Sequence, residues 1–297
     1  MTRRAYATRK SAPQATSATS ALVGSRKGRR AVSPAISTVI LTGAIVAMLL
    51  AAIPLSRNLL DSRTAEYEFS AMEQSMQTTA LQLDDVAWTM GRTQTTYYTS
   101  RFGWASFKPL ALNYAVYIDQ GQGYYSLANY STGILMFNMI SSQFSLGNNY
   151  FESLYPTNRS FLLNGVSAPI SHVYVVQKMP MSDGSFIRVV VAPSIRMLNS
   201  TVTTNATQNY LKFHLPILAP SGYSGTFQSI RLAGSTVSVN MTNSVQKVKV
   251  QISYPSSSAG FDQTFFNFDS ATKEIAVTSG TIIEFYTMNV SVSMGVD

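Results

Sequence analysis

The sequence predicts an α+β protein in which one long N-terminal apolar helix precedes an antiparallel β-sandwich or barrel-like head. Three observations lead to this fold class. No charged side chain occurs from Ala31 to Ser56, a stretch of 26 residues. Helical periodicity continues beyond this stretch as far as Met90. After Arg92 the chain changes to short runs of Val, Ile, Thr, Tyr and Phe, separated by Gly, Asn, Ser and Pro.

The basic residues before the apolar stretch form a charged leader. They are Arg3, Arg4, Arg9, Lys10, Arg26, Lys27, Arg29 and Arg30. A helix needs about 20 apolar residues to cross a bilayer, and a basic flank of this kind stays in the cytoplasm. The sequence therefore predicts a membrane span, with everything after Leu55 outside the cell. The leader accounts for the whole formal charge of +8, so the rest of the chain is neutral and predicts no nucleic-acid partner.

The junction between leader and span carries the signals of a helix start. Ser33 suits the N-cap, and Pro34 suits the first helical position. The stretch RRAVSPAISTVI has basic residues, a small residue, Ser-Pro and then an uninterrupted apolar helix. It resembles the class III signal peptide of archaeal type IV pilins, and the resemblance extends loosely through AEYEFSAMEQSMQTTALQLDDVAWTMG. It implies that a prepilin peptidase removes the leader and that the apolar helix forms the core of a filament.

Two positions are candidates for the cut. Cleavage after Gly28 leaves Arg29 and Arg30 in the first turn of a helix that enters an apolar bundle. Cations there are unfavourable and lie at the wrong end of the helix dipole. Cleavage between Ala31 and Val32 removes every leader charge, so we expect the cut there. The predicted segments are a basic leader at 1–31, a pilin helix at 32–91 and a β-rich extracellular head at 92–297.

The predicted helix has two distinct faces. Residues at intervals of four form a row in the span: Val39, Gly43, Ala47 and Ala51. Small residues let membrane helices approach closely, so this row is a candidate helix-packing face. Beyond Pro54 an apolar stripe recurs at intervals of three and four: Phe69, Met72, Met76, Thr79 or Ala80, Leu83, Val86 and Met90. We expect this stripe to pack under the head and Gly91 to end the helix.

The region after Arg92 contains eleven candidate strands: Tyr114–Asp119, Ile134–Ile140, Val173–Met179, Phe186–Ala192, Tyr210–Leu218, Thr226–Leu232, Thr236–Thr242, Val245–Tyr254, Thr264–Phe268, Glu274–Thr278 and Thr281–Met294. Amphipathic helical segments do not separate them, so a parallel α/β sheet is not expected. We interpret Gly121-Gln122-Gly123 as a hairpin turn. The polar segment Asn199–Asn209 is predicted to be a loop.

The composition argues against catalytic and metal sites. The chain has no cysteine and only two histidines, His172 and His214, so neither disulfides nor imidazole clusters are expected. Each histidine lies at a predicted strand edge and is expected to be a satisfied structural side chain. Asp84 and Asp85 point about 100° apart on a helix, which disfavours a shared catalytic role. The usual nucleotide-binding and hydrolase motifs do not occur. The sequence therefore predicts neither an enzyme nor a cofactor.

Six Asn-x-Ser/Thr sequons lie on the side of the membrane where glycosylation occurs. They are Asn129, Asn158, Asn199, Asn205, Asn240 and Asn289. We expect Asn199 and Asn205, in the predicted polar loop, to be the best acceptors.

Together with the resemblance, these features indicate a structural function. The chain is expected to enter the membrane as a precursor and then to join an archaeal type IV pilus or pilus-like surface filament, with a role in adhesion. The expected partners are further copies of the chain, a prepilin peptidase, the membrane before assembly, and a surface or cell receptor. Three alternatives stay open: a signal-anchored extracellular binding module, a membrane-tethered surface hydrolase, and a minor pilin or archaellum-related subunit.

Overall fold

The computed structural model of the protein describes residues 34–203, 207–222, 227–278 and 280–295. These residues form a long helix, a short helix, a 3-10 turn at Ser257–Ala259 and thirteen strands. In chain order the elements are α1 (Pro34–Trp88), β1 (Thr93–Tyr97), β2 (Gly103–Asp119), β3 (Tyr124–Ile140), β4 (Tyr150–Tyr155), β5 (Leu162–Asn164), β6 (Ser171–Gln177), β7 (Phe186–Pro193), β8 (Ile195–Thr203), β9 (Thr207–Pro220), β10 (Ser229–Thr242), β11 (Lys247–Ser253), α2 (Gln263–Phe266), β12 (Thr272–Ala276) and β13 (Ile282–Gly295).

Helix α1 is described from Pro34 and continues through Pro54 to Trp88, while Ser33, the predicted N-cap, lies outside the described residues. The chain divides into two compact units, of which the first ends at Pro54 and the second begins at Leu55. The helix therefore contributes residues to both units. A strand-rich domain follows it, which confirms the predicted α+β class.

Helix α1 ends close to the predicted stop. Gly91 has a φ of 79°, a left-handed conformation that glycine adopts without steric cost. Its N–H donates to the carbonyl of Gly234, and the N–H of Gly234 donates to the carbonyl of Arg92, both at 2.9 Å. A Cβ at residue 234 would lie 2.4 Å from the carbonyl oxygen of Val86. Glycine at position 234 therefore allows β10 to pass directly beside the end of the helix.

The strands form two sheets. The six-stranded sheet has the order β1-β10-β13-β9-β8-β5, and the seven-stranded sheet has the order β12-β11-β2-β3-β7-β6-β4. Most neighbouring strands are antiparallel, as predicted, but β13 with β9 and β5 with β8 are parallel. Parallel neighbouring strands are usually connected by a helix, which can be predicted from the sequence. Here β10, β11 and β12 lie between β9 and β13 in sequence, so the pattern of helices and strands gave no sign of that pairing.

The first hydrophobic core joins the two sheets. Tyr114 and Val116 of β2, Phe213 of β9 and Phe285 of β13 are fully buried in it. Four aromatic residues near α2 complete the cluster: Phe261, Phe265, Phe266 and Phe268. The Tyr114 hydroxyl donates to the carbonyl of Pro193 at 2.7 Å. That bond satisfies the one polar atom of a fully buried ring.

The second core joins helix α1 to both sheets. The buried helix residues are Ala65, Phe69, Met72, Met76, Thr79, Ala80, Leu83, Val86 and Ala87. Most of them cluster with buried side chains of β3, β6, β7, β10 and β13. The Phe69 ring lies 5.2 Å from that of Phe144 and 6.4 Å from that of Phe137. The predicted stripe is confirmed from Phe69 to Val86, but Met90 lies beyond the helix and is 70% exposed.

A charged side chain attaches the same part of the helix to the loop between β1 and β2. The Glu68 carboxylate accepts hydrogen bonds from the Ser100 hydroxyl at 2.9 Å, the Arg101 N–H at 2.9 Å and the Phe102 N–H at 3.2 Å. Hydrogen bonds to an ionised acceptor are roughly twice as strong as neutral ones. Glu68 therefore reinforces the packing of the apolar stripe from outside it.

Most predicted strands are present, with some differences in extent. The turn at Gly121-Gln122-Gly123 joins β2 to β3 as predicted, because Asp119 pairs with Tyr124. The two candidates before and after Gly234 are one strand, β10, with a register shift between Gly234 and Val237. The prediction missed β1, β4, β5 and β8, which are short or rich in polar residues.

The predicted strand Thr264–Phe268 is wrong, because its first residues form the short helix α2. The Asp262 carboxylate accepts hydrogen bonds from the N–H groups of Thr264 and Phe265, both at 3.0 Å. An aspartate at the N-cap satisfies donors that a new helix leaves free. The aromatic residues suggested a strand, but the cap decides the local structure.

The predicted loop Asn199–Asn209 is also wrong. Strands β8 and β9 pair in antiparallel register from Arg196 with His214 to Thr203 with Thr207, and residues 204–206 lie outside the described residues. Thr and Val are enriched in strands, and they recur through this segment. A polar composition therefore did not mark a loop here.

Candidate functional site

The first part of helix α1, from Pro34 to Leu60, presents a largely apolar surface in which Arg57 is the one charged side chain. Every residue from Pro34 to Leu60 is exposed. The large apolar side chains of this stretch are 48–71% exposed: Ile36, Val39, Ile40, Leu41, Ile45, Val46, Met48, Leu49, Leu50, Ile53, Leu55, Leu59 and Leu60. By length and composition, α1 is able to cross a membrane. An exposed apolar surface of this size is typical of a segment that contacts a membrane or another protein.

The two threonine hydroxyl groups of this segment are satisfied within the helix. Thr38 donates to the carbonyl of Ala35 at 2.9 Å, and Thr42 donates to the carbonyl of Thr38 at 2.8 Å. Such bonds to the preceding turn keep a hydroxyl paired where water is absent. Both threonines are thus compatible with an apolar environment.

The predicted packing row lies on this exposed surface. Val39, Gly43, Ala47 and Ala51 succeed one another at four-residue intervals within α1. A Cβ built at Gly43 meets nothing within 4 Å. Among the described residues, none covers this row, so it is free to contact a second helix. Whether it does so stays a prediction.

The predicted leader cleavage site lies outside the described residues. It comprises Arg29, Arg30, Ala31 and Val32. The first described residue, Pro34, already belongs to α1.

The sequons differ in how their amide groups are placed. Asn129, Asn158, Asn199 and Asn240 are exposed, Asn289 is half-buried, and Asn205 lies outside the described residues. The Asn240 amide donates to the Tyr130 hydroxyl at 2.6 Å, and the Asn289 amide donates to the Thr236 hydroxyl at 2.8 Å. Their nitrogens are therefore engaged in the fold. Asn199 lies in strand β8 rather than in a loop, so the reason for favouring it no longer holds.

His172 is a satisfied structural residue, as predicted. It is buried in β6, and its Nε2 lies 2.8 Å from the carbonyl oxygen of Ser160. Burial lowers the pKa of His172 to about 4, despite the opposing effects of the Ser160 carbonyl and Asp269. The ring is therefore neutral at physiological pH.

His214 departs from the prediction of a satisfied histidine. It is 6% exposed, and neither ring nitrogen has a hydrogen-bond partner among the described residues. Its ring lies between Trp88 at 4.4 Å and Tyr286 at 4.9 Å. Burial lowers the pKa of His214 to about 4, and Arg196 and Lys212 act in the same direction. His214 therefore behaves as a neutral aromatic side chain at the end of α1.

Charged pairs flank His214 on both sides. Arg196 forms an ion pair with Asp84 and lies 5.6 Å from the centre of the Trp88 ring. On the other side lies Glu284, which is 6% exposed. Its carboxylate accepts a hydrogen bond from the Tyr286 hydroxyl at 2.8 Å and forms an ion pair with Lys212 at 3.3 Å. The cluster draws on α1, β8, β9 and β13, so sequence spacing could not have revealed it.

Asp84 and Asp85 do not share a site, as predicted. Asp84 accepts a hydrogen bond from the Trp88 indole at 2.6 Å and pairs with Arg196. Asp85 pairs with Arg92 at 2.6 Å. Both carboxylates are half-buried. Each carboxylate is thus committed to a structural contact.

The grooves of the strand-rich unit include two whose lining bears on a binding or catalytic role. One, of about 370 Å³, is lined by β4, β6 and the α2 region, and its single amine, Lys178, pairs with Asp262 at 3.2 Å. The other, of about 280 Å³, is lined by β8, β9 and residues 275–278. Neither groove contains a pair of acidic residues or a histidine among its lining side chains. Within the described part of the chain, His, Asp and Glu form no group able to hold a metal ion.

Comparison of the chain with known protein families, with curated proteins and with solved structures gave no match.

Proposed function

We propose that this chain is the precursor of a structural subunit of an archaeal type IV pilus or pilus-like surface filament. The observation that carries the proposal is the fully exposed apolar surface from Pro34 to Leu60, which follows a basic leader at a Ser-Pro junction. Such a helix is stable in lipid, and it stays stable outside lipid only if other apolar helices surround it. A bundle of the same helix from many copies meets that requirement.

Charge supports the same function. Loss of residues 1–31 changes the formal charge from +8 to zero, because the remaining 14 basic and 14 acidic residues balance. A neutral subunit assembles without long-range repulsion between copies. The row from Val39 to Ala51 gives the helices a surface on which they can approach closely.

The second part of α1 separates this proposal from a plain membrane anchor. An anchor can end at the membrane, whereas α1 continues to Trp88 and buries Phe69 and Leu83 in the strand-rich unit. The same helix then supplies residues to both the filament core and the head. In this proposal the head lies outside the cell and takes part in adhesion through a surface or cell receptor.

The proposal is tested by isolating surface filaments by shearing and identifying their subunits by mass spectrometry. We expect filaments in the electron microscope that contain this chain with its leader removed by a prepilin peptidase. A chain that stays monomeric in the membrane with its leader intact would instead indicate a signal-anchored binding module.

A pair of variants tests the packing row. Ala47→Leu places a large side chain in the row, whereas Ala52→Leu makes the same change on the opposite side of the helix. We expect Ala47→Leu to reduce filament yield and Ala52→Leu to leave it closer to normal, with both chains inserted normally. Equal yields from both variants would remove the row from the account.

A further inference from the structure

The second half of β10 is an open sheet edge. Strand β1 pairs with β10 only from Ser229 to Ala233. From Val237 to Thr242, β13 is the one strand that pairs with β10 in the described part of the chain. Every second residue of such a strand directs its N–H and C=O away from its only partner. This edge therefore offers a row of free backbone donors and acceptors.

The side chains of this edge favour pairing rather than prevent it. Residues 235–241 read STVSVNM, with no charge and no proline, and each is exposed. Val237, Val239 and Met241 are 40%, 45% and 59% exposed and share one face, because they alternate along the strand. A long, uncharged edge with an apolar face is a template for another strand.

The four outermost strands, β1, β4, β5 and β12, are protected in recognisable ways. Strand β12 carries Lys273 and Glu274, and β4 carries Glu152. Strand β5 has three residues, and β1 contacts helix α1 through the hydrogen bond of Thr96 with Gln82 at 2.7 Å. Charge, short length and cover are the usual means of preventing edge-to-edge pairing. Their absence from β10 therefore marks this edge as different.

One other edge is unprotected, and it lies on the opposite border of the same sheet. Strand β5 pairs with β8 only from Ile195 to Met197. From Leu198 to Thr203, β8 pairs with β9 alone among the described residues, and this stretch, LNSTVT, is also uncharged. Val202 is 48% exposed. Each copy thus has two open edges that it cannot join to each other.

The two edges match in direction and in face. Strand β10 is antiparallel to β13, β13 is parallel to β9, and β9 is antiparallel to β8, so β10 and β8 run the same way. The register Val239–Tyr286–His214–Arg196 places these residues on one face of the sheet. Leu198 and Val202 alternate with Arg196 and share that face. A second copy whose β8 lies beside β10 would therefore place its Val202 on the same face of the sheet as Val239.

We propose that the open edge of β10 receives the open edge of β8 from a second copy of this chain, as a parallel strand pair that continues the sheet between subunits. The inference rests on the proposed filament function and specifies how neighbouring heads contact each other. A contact between two different edges repeats from copy to copy, and it generates an open helical array when its rotation does not close a ring. Apolar cross-strand pairs on the shared face would stabilise it.

The absence of cysteine makes this contact directly testable. The full chain carrying Val202→Cys and Val239→Cys is oxidised on intact cells and on sheared filaments, then separated without reductant. Both positions are exposed, so the substitutions do not disturb a core. We expect a ladder of cross-linked oligomers from the double variant and only monomer from either single variant. Because the exact register of the added strand is not fixed, Val237→Cys and Met241→Cys replace Val239→Cys in parallel samples.

Controls separate the edge contact from accidental proximity and from failure of assembly. Ser126→Cys with Val239→Cys places one cysteine on the other sheet and should give no ladder. Adding Val237→Lys to the double variant puts a charge on the edge and should abolish the ladder.

Filaments that form without a ladder in any register would overturn the edge contact and leave the filament function standing. A dimer from Val239→Cys alone would also overturn it, because two β10 edges would then pair with each other. Absence of filaments together with an intact leader would overturn both proposals.

Discussion

The two parts of helix α1 are built for different surroundings. From Pro34 to Leu60 every residue is exposed, and apolar side chains occur around the whole circumference. From Asp61 to Trp88 the helix is amphipathic: Phe69 and Leu83 are buried, while Tyr67 is 74% exposed. An all-round apolar helix suits lipid or a helix bundle, and an amphipathic helix suits the surface of a domain.

The difference shows that one helix can suit two environments, lipid or a helix bundle along one part and a domain surface along the other, if its side-chain pattern changes along its length. The first part depends on what surrounds it from outside the chain. The second part depends on the strand-rich unit of its own chain. The four predictions below test this division, beginning with the largest expected effect.

Removal of the second part should have the largest effect. A fragment of residues 92–297 lacks the helix side chains of the second core, whereas a fragment of residues 57–297 keeps them. Burial of each large apolar side chain contributes roughly 1.5–3 kcal/mol, so the loss is on the order of 10 kcal/mol and comparable to the stability of a whole domain. We expect the shorter fragment to melt far lower or to lack a cooperative transition in circular dichroism. Equal melting temperatures would mean that the stripe does not stabilise the head.

A single substitution should locate this stabilisation. Phe69→Ala removes a buried ring that contacts Phe144 and Phe137, so it should lower the free energy of unfolding of the 57–297 fragment by about 3–5 kcal/mol. Tyr67→Ala, on the exposed side of the same turn, should change it by less than about 0.5 kcal/mol. Urea unfolding followed by circular dichroism measures both. Similar losses from the two variants would contradict an amphipathic helix.

The end of the helix should make stability depend on pH. Burial lowers the pKa of His214 from an ordinary 6.5 to about 4, so the unfolded chain binds more protons between these values. Stability is therefore complete above pH 6.5 and falls as the pH decreases toward 4, by about 3 kcal/mol for this group. His214→Phe keeps an aromatic ring between Trp88 and Tyr286 and removes the titration. His172 remains in this variant, so the expected result is a shallower loss of stability with acid rather than none.

The smallest effect belongs to the first part of the helix. Ala47→Leu should favour membrane insertion by about 0.3–0.6 kcal/mol, because leucine is favourable at the centre of a span. The same substitution should leave unfolding of the strand-rich unit unchanged, since Ala47 belongs to the other compact unit. A glycosylation-mapping insertion assay and a thermal melt of the full chain in detergent measure the two quantities. A changed melting transition would show that the two parts are coupled.

Local signals in the sequence predicted the helix and much of its packing. The spacing of Phe69, Met72 and Met76 located the buried stripe, and Gly91 marked the end of the helix. Each depends on neighbours within a few turns, which a sequence displays directly. The β2–β3 hairpin was predictable for the same reason, because its glycines lie between the paired strands.

The features that sequence could not predict depend on distant residues. Strands β9 and β13 are parallel neighbours in the sheet, although three strands lie between them in the sequence. The His214 cluster assembles Asp84, Arg196 and Glu284 from three other elements. Asp262 turns an aromatic run into a helix through a cap whose effect competes with strand propensity. The open edge of β10 is visible only once the extent of β1 is known.

In the proposed function, a peptidase removes the leader and helix α1 becomes part of the filament core. The most direct test is the N-terminal sequence of the chain recovered from sheared surface filaments, by Edman degradation or mass spectrometry. The account predicts a mature chain of 266 residues, Val32 to Asp297, with a formal charge of zero. A start at Arg29 would move the cleavage site, whereas an intact Met1 or Thr2, on a chain found only in membranes, would contradict the claim.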